Sequence, residues 1–363
     1  MTQRLHWADI AKAGAIVLVV VYHVGSTGLS ELTEGENAAK SAWAAVNAAL
    51  VPVRMPLFFL ISGVLAVGAI QRRWTEVWRK RVADLLWPFA LWTLAFAVPY
   101  ALAYATGGIT GTTLEAASWT FVAAGAYWYL PALIVFFLAT WVLRNTPMVL
   151  LGFAIALHAA APMIRDALGD AIDPDVRITI YRWATFLVWF ALGATARKQI
   201  EYVAHLPAYV AVVTASVYVF AAILVYQYGW TLTPVLNVLG VVTALIASAQ
   251  FARFARPVRL GRYLAKRTLP IYLIHPILLA IMVAVGGSLI PNTAVLSAVA
   301  VPVLVVALTW ASVKLYDSVT GRADWLFRFP QRQSVGAEAG YGEGPPAQAQ
   351  PLPRPAGGVL PDD

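Results

Sequence analysis

The sequence predicts an all-α fold, a polytopic bundle of membrane-spanning helices. Hydrophobic residues make up 60% of the 363 residues, charged residues only 12%, and the mean hydropathy is +0.70. Soluble domains carry about a quarter charged residues. The basic residues cluster in short stretches between long apolar runs, as in the cytoplasmic loops of membrane proteins. That placement accounts for the net charge of +8 without a nucleic-acid partner.

About ten apolar segments have the length of roughly 20 residues that a membrane-spanning helix needs. They are 8–29, 43–70, 83–106, 127–143, 147–164, 178–196, 205–227, 231–252, 268–290 and 293–316. A further apolar piece, 116–126, is too short to span and is expected at the outer surface.

The charges between these segments predict that both termini are cytoplasmic. The loop at 31–36 is acidic, and the loop at 72–81 is basic. The alternation continues with an acidic loop at 166–175 and a basic stretch at 253–267. Basic loops face the cytoplasm, so the chain begins and ends inside after an even number of spans.

The chain divides into a membrane domain, 1–329, and a tail, 330–363. The tail is rich in Pro, Gly, Ala and Gln and cannot bury enough apolar surface to order itself, so we expect a disordered cytoplasmic segment. The chain has no cysteine, which excludes an S-acyl enzyme and thiolate metal sites. No set of His, Asp and Glu has metal-ligand spacing, so no metal is expected.

The first segment carries three polar residues on one face. At 100° per residue, the eleven steps from Lys12 to His23 return the helix to within roughly 20° of one direction, and Asp9 lies about 40° away. An ionisable group as deep in the membrane as His23 is expected to be functional, and an imidazole serves as a general base. The alternatives are a buried histidine that donates to a carbonyl, and a Lys12 that snorkels or pairs with Asp9.

The second segment places a guanidinium at a similar depth. Arg54 lies between Pro52 and Pro56, too deep to snorkel easily, and must face a partner or a wet cavity. We expect Arg54 and His23 to line one cavity, where Arg54 stabilises negative charge on a thioester oxygen. The alternative is a structural ion pair.

Five motifs in order resemble the membrane-bound acyltransferase-3 family over about residues 4–316. They are Lys12, ten residues and His23; Met55-Pro-Leu-Phe-Phe-Leu-Ile-Ser62-Gly63; Tyr127-Trp128-Tyr-Leu-Pro-Ala-Leu; Phe190-Ala-Leu-Gly193; and Leu269-Pro-Ile-Tyr272-Leu-Ile-His275-Pro276. One departure is clear: the family has two arginines three apart before a Leu-rich turn, and here Arg81 is followed by Asp84. We expect Gly63 to permit close helix packing.

The resemblance implies an integral O-acyltransferase of a bacterial inner or plasma membrane. Such an enzyme moves an acyl group, acetyl or another short one, from acyl-CoA to a hydroxyl of a sugar, glycolipid or other cell-envelope acceptor. The implied catalytic residues are His23, Arg54, Lys12 and Asp9. The implied donor-binding residues are Arg79, Arg81, Tyr272 and His275. The implied acceptor-binding residues are Trp128 and Arg182.

Alternative interpretations exist for several of these residues and for the whole chain. Tyr272 and His275, at i and i+3, suit a packing pair as well as a site, and Arg182 could snorkel. Buried ionisable residues also mark transport paths, so the rival function is a transporter or flippase of an envelope precursor. The sequence has no inverted repeat to support that rival.

Overall fold

The computed structural model describes residues 5–105, 127–169, 172–228, 232–286 and 290–330. All regular elements within these ranges are helical, which confirms the predicted fold class. The segment expected at the surface, 116–126, and the expected tail beyond 330 lie outside the described residues.

Fourteen α-helices are described. They are α1 His6–His23, α2 Leu29–Leu32, α3 Ala38–Ile70, α4 Trp74–Trp78, α5 Asp84–Ala105, α6 Tyr129–Val142, α7 Pro147–Leu168, α8 Pro174–Thr195, α9 Arg197–Ala204, α10 Ala208–Tyr228, α11 Thr233–Phe251, α12 Ala255–Ala265, α13 Thr268–Gly286 and α14 Ala294–Val319. Two wide π-helical turns join helices end to end: Val24–Gly28 between α1 and α2, and Arg79–Ala83 between α4 and α5.

Each predicted segment coincides with a helix, but the number of spans stays open. Within the described residues, seven helices are long and apolar enough to cross a membrane, and α12 with α13, bent by 69°, would make an eighth. The 14-residue helix α6 is about 21 Å long, shorter than a hydrocarbon core of about 30 Å. The chain is thus a multi-pass membrane protein, whereas ten spans and the orientation of the termini stay predictions.

Helix α1 lies at the centre of the bundle, packed against α3, α11, α12, α13 and α14. Its buried alanines let these neighbours approach closely: Ala8, Ala11 and Ala15 have 0%, 2% and 0% exposure. A side chain added at Gly261 of α12 would lie 2.7 Å from Ile10. Small residues are how membrane helices pack closely, so the helix with the predicted polar face is held on most sides.

Helices α3 and α8 touch through their backbones. A Cβ added at Gly63 would lie 2.2 Å from the carbonyl oxygen of Phe190, and one added at Gly193 would lie 2.1 Å from that of Leu60. This confirms the packing role expected for Gly63.

Helix α3 continues through both of its prolines. Pro56 has no N–H to donate to the carbonyl of Pro52, one turn earlier. Asn237 of α11, 3% exposed, supplies the missing donor. With its NH2 oriented toward α3, its amide nitrogen lies 3.0 Å from the Pro52 oxygen. The freed carbonyl is thereby satisfied beside Arg54.

Candidate active site

A cavity of about 520 Å³, here called the His23 cavity, lies among α1, α3, α6, α8, α11 and α13. His23 is the last residue of α1, where the helix widens into the π-helical turn Val24–Gly28. In that turn the Ser26 hydroxyl donates to the Tyr22 carbonyl. Such turns are frequent at functional sites, and this one places the His23 imidazole in the cavity wall.

Arg54 lines the same cavity, as its depth predicts. Its side chain is only 7% exposed, and its guanidinium carbon lies 4.0 Å from the centre of the Tyr22 ring. Nη1 has no hydrogen-bond partner among the described residues. The cation is therefore held by an aromatic face, and no carboxylate pairs with it in the part of the chain described.

A second histidine contacts His23. The rings of His23 and His275 are 5.3 Å apart at their centres, tilted by 55°. His275 is fully buried, and its Nδ1 lies 2.7 Å from the Ile271 carbonyl. A carbonyl only accepts, so Nδ1 is the donor and Nε2 the acceptor of a neutral ring. Nε2 has no partner among the described residues. Sequence reasoning placed His275 with the donor and missed its contact with His23.

Trp128 and Arg182, both expected near the acceptor, line the His23 cavity together. The Arg182 guanidinium carbon lies 5.0 Å from the centre of the Trp128 ring. Trp128 also packs against Phe186, with ring centres 5.9 Å apart. The cavity thus has two guanidiniums in its wall, and the described residues that line it include no Asp or Glu.

A smaller cavity of about 220 Å³, here called the Lys12 cavity, lies one side-chain layer away. Its cations are Lys12, Lys80 and Arg81, set against apolar side chains of α3 and α6. Burial lowers the pKa of the Arg81 guanidinium, and the charge of Arg72 lowers that pKa further. The described residues that line this cavity include no Asp or Glu, so its cations suit an anionic ligand.

Two residues expected to work with Lys12 lie outside the Lys12 cavity. Arg79 is exposed and does not line the Lys12 cavity, whereas its neighbour Lys80 does. Sequence reasoning missed Lys80. Asp9 lies one turn before Lys12 and acts electrostatically on its ammonium group, but it lines neither cavity.

Two tyrosines form the partition between the cavities, because Tyr129 and Tyr272 line both of them. Their ring centres are 5.7 Å apart, and the Tyr129 N–H donates to the Tyr272 hydroxyl at 3.3 Å. The Tyr129 hydroxyl lies 2.7 Å from Oγ of Ser62. Tyr127 donates from its hydroxyl to the Leu273 carbonyl at 2.6 Å, which ties α6 to α13. A route between the cavities crosses this tyrosine pair.

The described ranges hold no group of three His, Asp or Glu side chains placed to bind a metal ion. The expectation that the protein uses no metal stays a prediction.

Comparison with known proteins adds three findings. A family model described as an acyltransferase domain, of the acyltransferase-3 type, matches residues 5–314. The inner membrane protein YcfT of Escherichia coli K-12 is 34% identical over 96 residues, which are 25% of this chain and 27% of YcfT. The aligned segment thus spans about a quarter of that relative. No solved structure gives a significant match.

Proposed function

This chain belongs to the acyltransferase-3 family, and from that premise and the site geometry we propose that it is a membrane O-acyltransferase. Its donor is an acyl-CoA carrying acetyl or another short acyl group. Its acceptor is a hydroxyl of a sugar, glycolipid or related envelope molecule. The observation that carries the proposal is the meeting of a cationic cavity and an imidazole-bearing cavity at one tyrosine pair.

The Lys12 cavity suits the donor. Lys12, Lys80 and Arg81 supply the cations that phosphates bind. At about 220 Å³ the cavity is smaller than the 300–1,000 Å³ typical of drug-sized ligands. It therefore accepts the slender thioester arm of CoA and leaves the nucleotide outside, beside the exposed Lys80.

The His23 cavity suits the acceptor and the chemistry. His23 removes the proton from the acceptor hydroxyl as the oxygen attacks the thioester carbonyl. The C=O electron pair moves to oxygen, and the resulting oxyanion is stabilised by the Arg54 guanidinium. When the intermediate collapses, the C–S bond breaks and the His23 imidazolium returns its proton to the CoA sulfur. The products are an ester and free CoA.

The proposed topology follows from this division of labour. Lys12 and His23 are about 16 Å apart along α1, so donor and acceptor approach from opposite ends of the bundle. We place the Lys12 cavity and both termini on the cytoplasmic side, where acyl-CoA is made, with residues 1–329 as the catalytic membrane domain and 330–363 as a cytoplasmic tail.

The test is release of free CoA from acetyl-CoA by the purified protein in lipid, with envelope extract as the acceptor source. His23→Ala should lower extract-dependent release at least about 100-fold, since a general base contributes 10²–10⁴-fold. The matched control is His205→Ala, because His205 is exposed and bonds only within its own turn. Equal rates for wild type and a folded His23→Ala protein would refute the mechanism.

A transporter is the second candidate, and the paired cavities with a closed partition favour it, since transporters alternate access around a central site. The same preparation separates the two functions. Uptake of an envelope precursor into vesicles without CoA release would establish a transporter, and extract-dependent CoA release would establish the enzyme.

A further inference from the structure

Resting on the proposed function, we infer that the acceptor carries an anionic group, a carboxylate or a phosphate, and that Arg182 binds it. The hydroxyl that receives the acyl group would then belong to an acidic sugar or a phosphorylated glycan, and the two guanidiniums of the His23 cavity would have separate tasks.

The side chains known to line the His23 cavity carry an excess of positive charge. Arg54 and Arg182 belong to this lining, and none of the described residues in it is Asp or Glu. Arg54 is buried and Arg182 half-buried, and a cation withdrawn from water without an opposite charge in its cavity is costly. The tetrahedral intermediate brings one negative charge, which Arg54 can neutralise. The charge of Arg182 is left for an anion that arrives with the substrate.

Both guanidiniums of the His23 cavity lie against aromatic rings. Arg54 lies on the ring of Tyr22 and Arg182 on that of Trp128. An aromatic face holds a guanidinium flat without using its N–H groups, which stay available for a carboxylate or phosphate in a bidentate arrangement. Arg54 Nη1 is such a group, buried and without a partner among the described residues.

The acidic residues near the cavity lie outside its described lining. Asp175 lies two turns before Arg182 on α8 and acts on its charge, but it does not line the cavity. A neighbouring hollow of about 690 Å³ shares Tyr22 with the His23 cavity and includes Glu31 and Glu36. Both glutamates are exposed, so water and salt screen their charges. Arg182, in the α8 wall, lies apart from that hollow, whose lining comes from α1 to α3.

The experiment sorts acceptors by charge before they meet the enzyme. Envelope extract is divided by anion exchange into a retained, acidic fraction and an unretained, neutral one. Each is incubated with isotopically labelled acetyl-CoA and wild-type protein in lipid. We expect labelled ester from the acidic fraction. Ester from the neutral fraction alone would overturn this inference and leave the acyltransferase in place. No ester from either fraction would contradict the proposed function, and this inference with it.

Chemical treatment of the acidic fraction identifies the anion. Aqueous hydrogen fluoride, which cleaves phosphate monoesters and diesters, should abolish acceptor activity if the group is a phosphate, and amidation with methylamine and a carbodiimide should abolish it if the group is a carboxylate. Full activity after both treatments would overturn the inference.

Variants then test whether Arg182 is the anion's partner. Arg182→Gln should raise the KM for the acidic fraction at least about 10-fold and leave the KM for acetyl-CoA unchanged, whereas Arg182→Lys should recover part of the loss, because it keeps the charge but not the bidentate geometry. Arg256→Gln is the control, since Arg256 is exposed and lines neither cavity. A merely structural role for Arg182 would change both KM values, or neither.

Discussion

The presence of His275, whose imidazole contacts that of His23, is not explained by stability alone. His275 is fully buried, and its Nε2 has no partner within the described residues. A buried acceptor left unsatisfied costs about 1–3 kcal/mol. Such a residue is expected where function requires it, and from its contact with His23 we propose that His275 positions the imidazole of the proposed general base.

Replacing His275 with leucine should separate stability from activity. Leucine has a similar size and removes the unsatisfied nitrogen, so His275→Leu should unfold at the wild-type temperature or above it. Transfer of the acyl group should fall at least about 10-fold, because His23 loses the ring that packs against it. Thermal unfolding in detergent and CoA release measure the two effects.

For that variant, His158→Leu is the comparison. His158 Nδ1 bonds the Thr185 carbonyl at 2.7 Å, and the residue lines neither cavity. Its loss should lower stability and leave the rate per folded molecule unchanged. A His275→Leu protein with full activity would show that His275 only fills space.

The contact between α3 and α8 determines where Arg54 and Arg182 lie relative to each other, because each helix carries one of them. The two backbones approach closely at Gly63 and Gly193, and that approach leaves no room for a side chain.

Alanine at either glycine should therefore destabilise the protein. In Gly63→Ala and Gly193→Ala the new methyl group meets backbone atoms, which cannot rotate away, so we expect a loss of about 1–3 kcal/mol, as for overpacked cores. Thermal unfolding in detergent measures it. Gly68→Ala is the control on α3: Gly68 is exposed, with nothing within 4 Å of an added Cβ. If all three variants unfolded at the same temperature, the close approach at Gly63 and Gly193 would not be what stabilises the contact between α3 and α8.

The start of α5 explains the departure from the family pattern. Where the family has a second arginine, Asp84 accepts a hydrogen bond from the Phe329 N–H at 3.1 Å. Trp87 and Trp92 donate to the carbonyls of Trp325 and Leu326 at 2.6 and 2.7 Å. The segment after α14 is thus anchored on α5, and Lys80, not a second arginine, joins Arg81 in the Lys12 cavity.

For the molecule as a whole, the tyrosine pair lies between the two cavities. In the proposed reaction, water must be kept from the thioester until an acceptor arrives. Tyr272→Ala should connect the cavities. We expect CoA release without acceptor to rise several-fold, while ester formation falls. Tyr181→Ala is the control, because Tyr181 lines the His23 cavity but not the Lys12 cavity. Unchanged background release in Tyr272→Ala would refute the role of the partition.

The sequence predicted the parts of the site that depend on helix geometry. The period of 3.6 residues puts Lys12 and His23 on one face, and the rise per residue puts Arg54 at the depth of His23. The contact of His275 with His23 depends on how α13 is set against α1 after the 69° bend at its start, which no local pattern encodes.

Lys80 lines the Lys12 cavity and Arg79 does not, and this difference has a local cause. Both residues lie in the wide turn Arg79–Ala83, where i→i+5 bonding shifts the phase of the helix. The family resemblance, from which Arg79 was assigned to the donor, does not specify this change of phase.

The two wide turns found in the described residues both adjoin a cavity, Val24–Gly28 behind His23 and Arg79–Ala83 around Arg81. A π-helical turn amounts to a single residue inserted into an α-helix. We therefore expect that each end of this site arose by an insertion, which no series of point substitutions reproduces. In a sequence alignment, relatives that lack either extra residue should show a one-residue gap at the corresponding turn. Such gaps would mark lineages in which the site never formed or has been lost.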